Sequence, residues 1–218
     1  MSTNPPRPAR PPPPIPKPGQ VKVVRALYRY DARETDELSF DEGDMLYILD
    51  MSNSDWWKAK CGSSIGLIPS NYVEGNTENI DHPLHDAAKR GNIEFLQECL
   101  KNGVSVNGLD KAGSTPLHWA ANGGHIECLQ ILLSVPKCQV DVQNKLGDTP
   151  LHAAAWKGHA AAVEMLLNKG ARTDLRNNDN RLAQDLTKDA EVAAQLRQAA
   201  GVQASRYADE YDDEEDSD

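Results

Sequence analysis

The apolar residues of this 218-residue chain follow two different spacings. Between residues 21 and 74 they come in short runs: Val21 to Tyr28, Met45 to Leu49, Trp57 to Cys61 and Ile65 to Ile68. Turn-forming clusters such as Asp41-Glu42-Gly43-Asp44 and Ser52-Asn53-Ser54-Asp55 lie between them. This density of short strands predicts a small closed barrel. In the third run Trp57, Ala59 and Cys61 alternate, so Trp57 points into the core and adjacent Trp56 points away. Leu27, Leu38 and Phe40 are read as core beside Trp57. From residue 81 the spacing is helical. Ile93, Leu96 and Leu100, then Ile126, Leu129 and Leu133, then Val163, Leu166 and Leu167 form apolar stripes at i, i+3, i+4 spacing.

The same signals precede each stripe. Pro83-Leu84-His85, Thr115-Pro116-Leu117-His118 and Thr149-Pro150-Leu151-His152 set prolines 33 and then 34 residues apart. Proline suits the first position of a helix. Small residues follow (Ala87-Ala88, Ala120-Ala121, Ala153-Ala154-Ala155), and Gly91, Gly124 and Gly158 close the helix. A fixed period in the low thirties predicts a solenoid in which each unit packs only on its neighbours. A degraded unit starts near Arg181 and runs through Leu186, Val192 and Leu196. There Asp185-Leu186 stands where His152-Ala153 stood, and polar Gln195 and Gln198 suit the solvated face of a terminal repeat.

In spacing and motif these units resemble ankyrin repeats. The resemblance implies that partners dock on turn tips and on the exposed side of the first helices. The matching tip positions are Leu109, Lys111 and Ala112, then Gln143, Lys145 and Leu146. The matching helix positions are Lys89 and Arg90, Asn122 and Gly123, and Trp156 and Lys157. Trp156 either stands exposed as an interface anchor or packs sideways onto the next unit near Asp185 or Thr187. His85, His118 and His152 recur in register, yet packed helices lie about 8–10 Å apart. Ligands of one zinc ion lie within about 4 Å of each other, so this ladder does not chelate a metal. In the ankyrin family the imidazole bonds turn backbone.

The barrel carries Ala26-Leu27-Tyr28-Arg29-Tyr30-Asp31-Ala32, Glu37-Leu38-Ser39-Phe40, Gly43-Asp44, Trp56-Trp57 and Gly66-Leu67-Ile68-Pro69-Ser70-Asn71-Tyr72-Val73. Along its whole length it resembles an SH3 domain, departing at Arg29, where the family commonly has an acid. The resemblance implies a groove for proline-rich ligands formed by Tyr28, Tyr30, Trp56, Pro69 and Tyr72, with Asn71 bonding a ligand carbonyl. It also implies an acidic specificity pocket of Glu34, Asp36 and Glu37 that pairs a ligand Arg or Lys. The physics agrees: polyproline II is already stiff, and a receptor needs flat aromatic walls and a carbonyl donor. Residues 24–74 hold ten acids and five bases, which favours basic proline-rich ligands.

The expected organisation is a multidomain chain. A disordered proline-rich segment (1–20) precedes an all-β SH3 barrel (21–75), and 75–80 is a polar linker. An all-α solenoid follows, with repeats at 81–113, 114–147 and 148–180 and a partial cap at 181–200. An acidic disordered tail (201–218) ends the chain. Arg10-Pro11-Pro12-Pro13-Pro14-Ile15-Pro16 and Pro5-Pro6-Arg7-Pro8-Ala9-Arg10 fit the two orientations of SH3 ligands, so the first segment is itself a candidate ligand, in cis or in trans. Tyr207, Tyr211 and Ser217 stand in acidic surroundings that many kinases accept.

Net charge narrows the function. It is −10, with eight acids and no base in residues 207–218. An acidic body argues against nucleic acid and anionic membrane as partners. No apolar run is long enough for a membrane span, and no apolar segment of a signal peptide is seen at the start. Cys61, Cys99, Cys128 and Cys138 form no Cys-x-x-Cys pair and read as reduced thiols in a cytoplasmic protein, with Cys99 and Cys128 in the core. No phosphate-cradling loop, nucleophile elbow or metalloprotease helix occurs, so the chain is expected to be neither an enzyme nor cofactor-dependent. The expected function is a monomeric intracellular adaptor joining a proline-rich protein to a second partner. The alternatives are an ankyrin-based regulator of a bound enzyme and a secreted factor. Taken whole, the layout resembles a family of signalling adaptors. That resemblance implies Src-type kinase partners and indirect promotion of osteoclast formation and bone resorption.

Overall fold

The computed structural model describes the backbone of residues 21–212 and the side-chain surroundings of residues 21–205. The proline-rich segment 1–20 and the last part of the acidic tail lie outside the described residues. The chain divides into two compact units, one up to Asp81 and one from His82.

The first unit is an antiparallel five-stranded sheet in the order β4-β3-β2-β1-β5. Its strands are β1 (Lys22–Ala26), β2 (Met45–Asp50), β3 (Trp56–Cys61), β4 (Ser64–Pro69) and β5 (Thr77–Asn79), with one short helix α1 (Ser70–Asn76). Val24, Ala26, Leu38, Phe40, Leu46, Ile48, Trp57, Ala59, Ile68 and Val73 form its core. Trp57 is buried as expected, and Trp56 beside it is only half-buried.

Two expectations are corrected here. Leu27 is not core; it is 41 % exposed. With Val24 and Ala26 facing inward, the two-residue period puts Leu27 on the outer side with Arg25. Residues 75–80 are not a linker either. Their Thr77, Glu78 and Asn79 pair with Ala26, Arg25 and Val24 of β1. Backbone pairing needs no apolar side chains, and it satisfies the peptide groups along the outer edge of β1.

The second unit stacks helix pairs. The first helices are α2 (Pro83–Arg90), α4 (Pro116–Gly123), α6 (Pro150–Lys157) and α8 (Ala183–Leu186), each packed on the next. The second helices α3 (Ile93–Lys101), α5 (Ile126–Ser134), α7 (Ala160–Asn168) and α9 (Ala190–Asp212) form a parallel row. Proline begins α2, α4 and α6, and left-handed Gly91, Gly124 and Gly158 end them. Buried alanines at the centre of α2, α4 and α6 allow the close stacking, and Cys99 and Cys128 are buried.

The final helix corrects the tail expectation. Helix α9 does not stop at residue 200 but continues to Asp212. Gln203 explains part of this extension. Its Oε1 accepts from the N–H and hydroxyl of Thr173 at 3.1 and 2.7 Å, and its Nε2 donates to the carbonyl of Ala171 at 2.9 Å.

The histidine ladder supports the turns. Nε2 of His118 lies 2.9 Å from the Asp148 carbonyl, and that of His152 lies 3.2 Å from the Arg181 carbonyl. His85 bridges the carbonyls of Gly108 and Ser114 at 2.9 and 3.0 Å. In α4 and α6 the other ring nitrogen accepts from the backbone N–H of Thr115 or Thr149. In the degraded unit Asp185 does this instead, accepting from Leu182 N–H at 2.9 Å. A second ladder runs beneath: His125 and His159 reach back to the carbonyls of Lys89 and Asn122, each at 3.1 Å.

Candidate functional site

In the first unit one surface groove of about 420 Å³ is lined by Tyr30, Arg33, Glu37, Trp56, Pro69, Asn71, Tyr72 and Asn76. Its parts come from separate segments held in register. Trp56 and Pro69 face each other across the β3–β4 ladder. Phe40 stacks on Tyr30 at 5.6 Å, and Tyr72 meets both rings edge-on at 5.5 and 5.4 Å. These contacts fix the aromatic wall before a ligand arrives, which lowers the entropy lost on binding. The Tyr72 hydroxyl donates to the carbonyl of Tyr28.

Gly66 brings the acidic loop to the groove. A side chain there would lie 2.9 Å from the backbone of Asp36, Glu37 and Leu38. The loop and β4 exchange backbone bonds, Leu38 N–H to Leu67 and Leu67 N–H to Asp36. Glu37 then accepts from Arg33 N–H at 2.7 Å and from the Tyr30 hydroxyl at 2.9 Å. The Arg33 N–H, aided by the Tyr30 hydroxyl, holds the Glu37 carboxyl below the usual carboxylate range. It is therefore an anion at neutral pH.

The structure thus gathers Tyr30, Trp56, Pro69, Asn71, Tyr72 and Glu37 at one groove. Tyr28 is 61 % exposed and does not line it. Glu34 and Asp36 are exposed on the loop and stand outside the lining, and Asp36 meets β4 through its carbonyl. Arg33 and Asn76 are lining residues that sequence reasoning missed. Arg33 stands just before the acidic loop residues with no marker of its own, and Asn76 arrives through the turn of α1.

The second unit carries a larger concavity of about 680 Å³ along its first helices and turn tips. Trp119, Asn122, Leu146 and Trp156 line it. Trp156 is 61 % exposed and Leu146 66 % exposed, so Trp156 is not packed sideways into the next unit. The ammonium groups of Lys89 and Lys157 lie over the rings of Trp119 and Trp156 at 4.7 and 4.4 Å. Leu109 is also exposed but lies outside the concavity, as do Lys111 and Arg90; Arg90 pairs with Asp86 at 2.9 Å. Lys145 sits at a tip whose backbone is tied to Ala112 at 2.9 Å.

Two corrections concern this surface. The Gln143 side chain is occupied by the carbonyls of Gly147 and Arg176, at 2.8 and 2.9 Å. Its amide nitrogen braces the tips. Trp119 belongs to the groove although sequence reading passed over it. It follows His118 directly, inside a run of small residues taken as packing positions. Its indole N–H donates to Asp110 at 2.8 Å, which turns the ring toward the concavity.

A small barrel with an aromatic surface groove and a stacked-helix surface on one chain define the class: an adaptor with two kinds of protein-binding domain. Family comparison agrees. Residues 25–70 match the SH3 domain, and residues 84–177 match ankyrin repeats in three copies. Osteoclast-stimulating factor 1 of Xenopus laevis is 59 % identical over 213 residues, covering 96 % of this chain and all of the relative. The proteins of that name from Bos taurus and Danio rerio are each 56 % identical over the same length and coverage. The chain belongs to the osteoclast-stimulating factor 1 family. Its domains are those of a non-enzymatic adaptor. Among the described residues no helix is long and apolar enough to cross a membrane.

Proposed function

We propose that the chain is an intracellular signalling adaptor that holds a basic, proline-rich segment of one protein in its SH3 groove and a second protein on its ankyrin repeats. The observation that carries this reading is the groove itself. Half-buried Trp56 stands opposite Pro69, Asn71 offers a side-chain donor, and anionic Glu37 closes one end. Proline rings fit between flat aromatic walls, their carbonyls bond to the amide, and a ligand Arg or Lys meets the carboxylate. Two weak sites on one chain raise the effective concentration of one partner near the other.

The relatives' name supports a role in stimulating osteoclasts, and the reading extends to indirect promotion of osteoclast formation and bone resorption. A proline-rich partner of the Src-type kinase class fits the groove chemistry. Glu34 and Asp36, exposed on the same loop, extend its negative field to a ligand approaching from solution. The test is affinity capture with wild type, Trp56→Ala and Trp156→Ala full-length chains. Loss of proline-rich proteins from the Trp56→Ala capture alone supports the reading. Unchanged capture by a folded Trp56→Ala protein removes it.

A further inference from the structure

The lining of the SH3 groove holds two charged side chains of opposite sign, Arg33 and Glu37. Both stand on the loop after Tyr30. The Arg33 backbone N–H donates to the Glu37 carboxylate at 2.7 Å, which fixes the two residues relative to each other. Residues 21–81 contain three arginines, and two of them are matched within the barrel. Arg25 pairs with Glu78 at 3.7 Å, and Arg29 pairs with Asp31 at 2.8 Å and Asp41 at 3.7 Å. Arg33 is exposed, and its guanidinium forms no ion pair among the described residues. The unmatched cation is therefore the one that lines the groove.

We propose that Arg33 selects ligands that carry one acidic side chain beside their basic anchor. This deepens the reading of the groove as a proline-peptide site and rests on it. A ligand Arg or Lys paired with Glu37 carries its neighbours past Arg33, because the loop ties the two residues together. Polyproline II rises about 3.1 Å per residue, so an acid one to three places from the anchor lies about 3–9 Å along the ligand. The long, exposed Arg33 side chain spans that range. Its planar guanidinium matches a carboxylate with two parallel hydrogen bonds.

Arg33 also acts against the wrong ligand. Where no acid is present, the guanidinium stands near the ligand's own cation and opposes it. A run of acids is disfavoured for the converse reason. Glu34, Asp36 and Glu37 stand on the same loop, so a second carboxylate or a doubly charged phosphate group meets more repulsion than one arginine offsets. The selected flank is therefore one base and one acid.

The test uses the full chain and labelled peptides with a common proline core. One peptide has an Arg anchor flanked by Gln. A second set has the Arg anchor and a Glu placed one, two or three residues away. A third set keeps that Glu and replaces the anchor by Gln. Fluorescence anisotropy at about 0.05 M and about 0.15 M salt reads the affinities. At the matching position the Arg–Glu peptide is expected to bind about threefold more tightly than the Arg–Gln peptide, with a smaller advantage at higher salt. The peptides lacking the anchor are expected to bind most weakly. Arg33→Gln should remove the Glu advantage and bind the Arg–Gln peptide at least as well as wild type. That substitution leaves the bond to Glu37 in place, since it runs through the backbone. Arg25→Gln makes the same change in net charge outside the groove lining and should keep the advantage. A double-mutant cycle between Arg33→Gln and ligand Glu→Gln measures the pair itself. Equal binding of Glu and Gln peptides at all three positions, an advantage that survives Arg33→Gln, or its loss with Arg25→Gln each overturns the proposal and leaves the groove reading standing. Unchanged binding of every peptide to a folded Trp56→Ala protein removes both.

Discussion

Gln203 holds Thr173 from thirty residues away along the chain, accepting from both its backbone N–H and its hydroxyl. The same amide donates to Ala171, so one side chain on α9 satisfies three polar groups of the turn that enters the last repeat. Gln203→Ala leaves those groups without partners, and Thr173 is buried. A loss of about 1–3 kcal/mol is expected in denaturant unfolding of the repeats. Ending the chain at residue 200 should cost at least as much. An unchanged midpoint in both forms would remove Gln203 from the terminal cap.

The repeats are expected to weaken in mild acid. Burial pushes the imidazoles of His85, His118 and His152 below their ordinary value of 6.5. The folded state therefore favours the neutral ring, and the unfolded chain binds protons more readily. The contribution of the ladder is present above about pH 6.5 and is lost as pH falls from there through the lower folded-state values. Urea midpoints of the repeat signal should fall between about pH 7 and about pH 5. His118→Asn should be less stable at neutral pH and show a shallower decline.

Gly124 is confined from two sides. Its φ is +65°, and an added methyl group would lie 2.8 Å from Nδ1 of His159. Gly170 has a φ of +84° but open space around it. Gly124→Ala is expected to cost about 2–4 kcal/mol and Gly170→Ala about 1–2 kcal/mol. Equal costs by thermal unfolding would show that backbone strain alone matters and that His159 yields freely.

At the SH3 groove the carboxylate and the close approach beneath it can be separated. Glu37→Gln keeps the shape and should weaken an arginine-bearing proline peptide by about fivefold or less, more at low salt, with little change for a neutral peptide. Gly66→Ala forces β4 and the acidic loop apart. It should weaken both peptides and destabilise the SH3 unit by about 1–3 kcal/mol. Titration calorimetry with the two peptides, alongside melting of the barrel, distinguishes these outcomes.

Much of the architecture was legible because it depends on local periodicity. Proline at the first helical position, small residues, a closing glycine and an apolar stripe specify one repeat wherever they recur, so three copies announced a solenoid. The SH3 groove was legible for a different reason. Its motifs resemble those of the family in order, and Trp56 lies beside inward-facing Trp57 in a two-residue alternation. β5 was not legible, because its Thr77-Glu78-Asn79 pairs through backbone and carries no apolar signal. The extension of α9 was hidden because its reason, Gln203 on Thr173, connects residues thirty apart.

By itself the sequence determined that this chain has a small barrel of short strands, a stack of helical repeats and an acidic end, since each is written in short-range spacing and composition. Only tertiary structure decided which residues meet. It left Glu34 and Asp36 outside the groove lining and brought Arg33 and Asn76 into it. It brought Trp119 and Trp156 to one concavity and joined Asp179 to Arg181 at its edge. Those outcomes depend on backbone closure, hydrogen-bond partners and local electrostatics between segments far apart in the chain, which no spacing rule encodes.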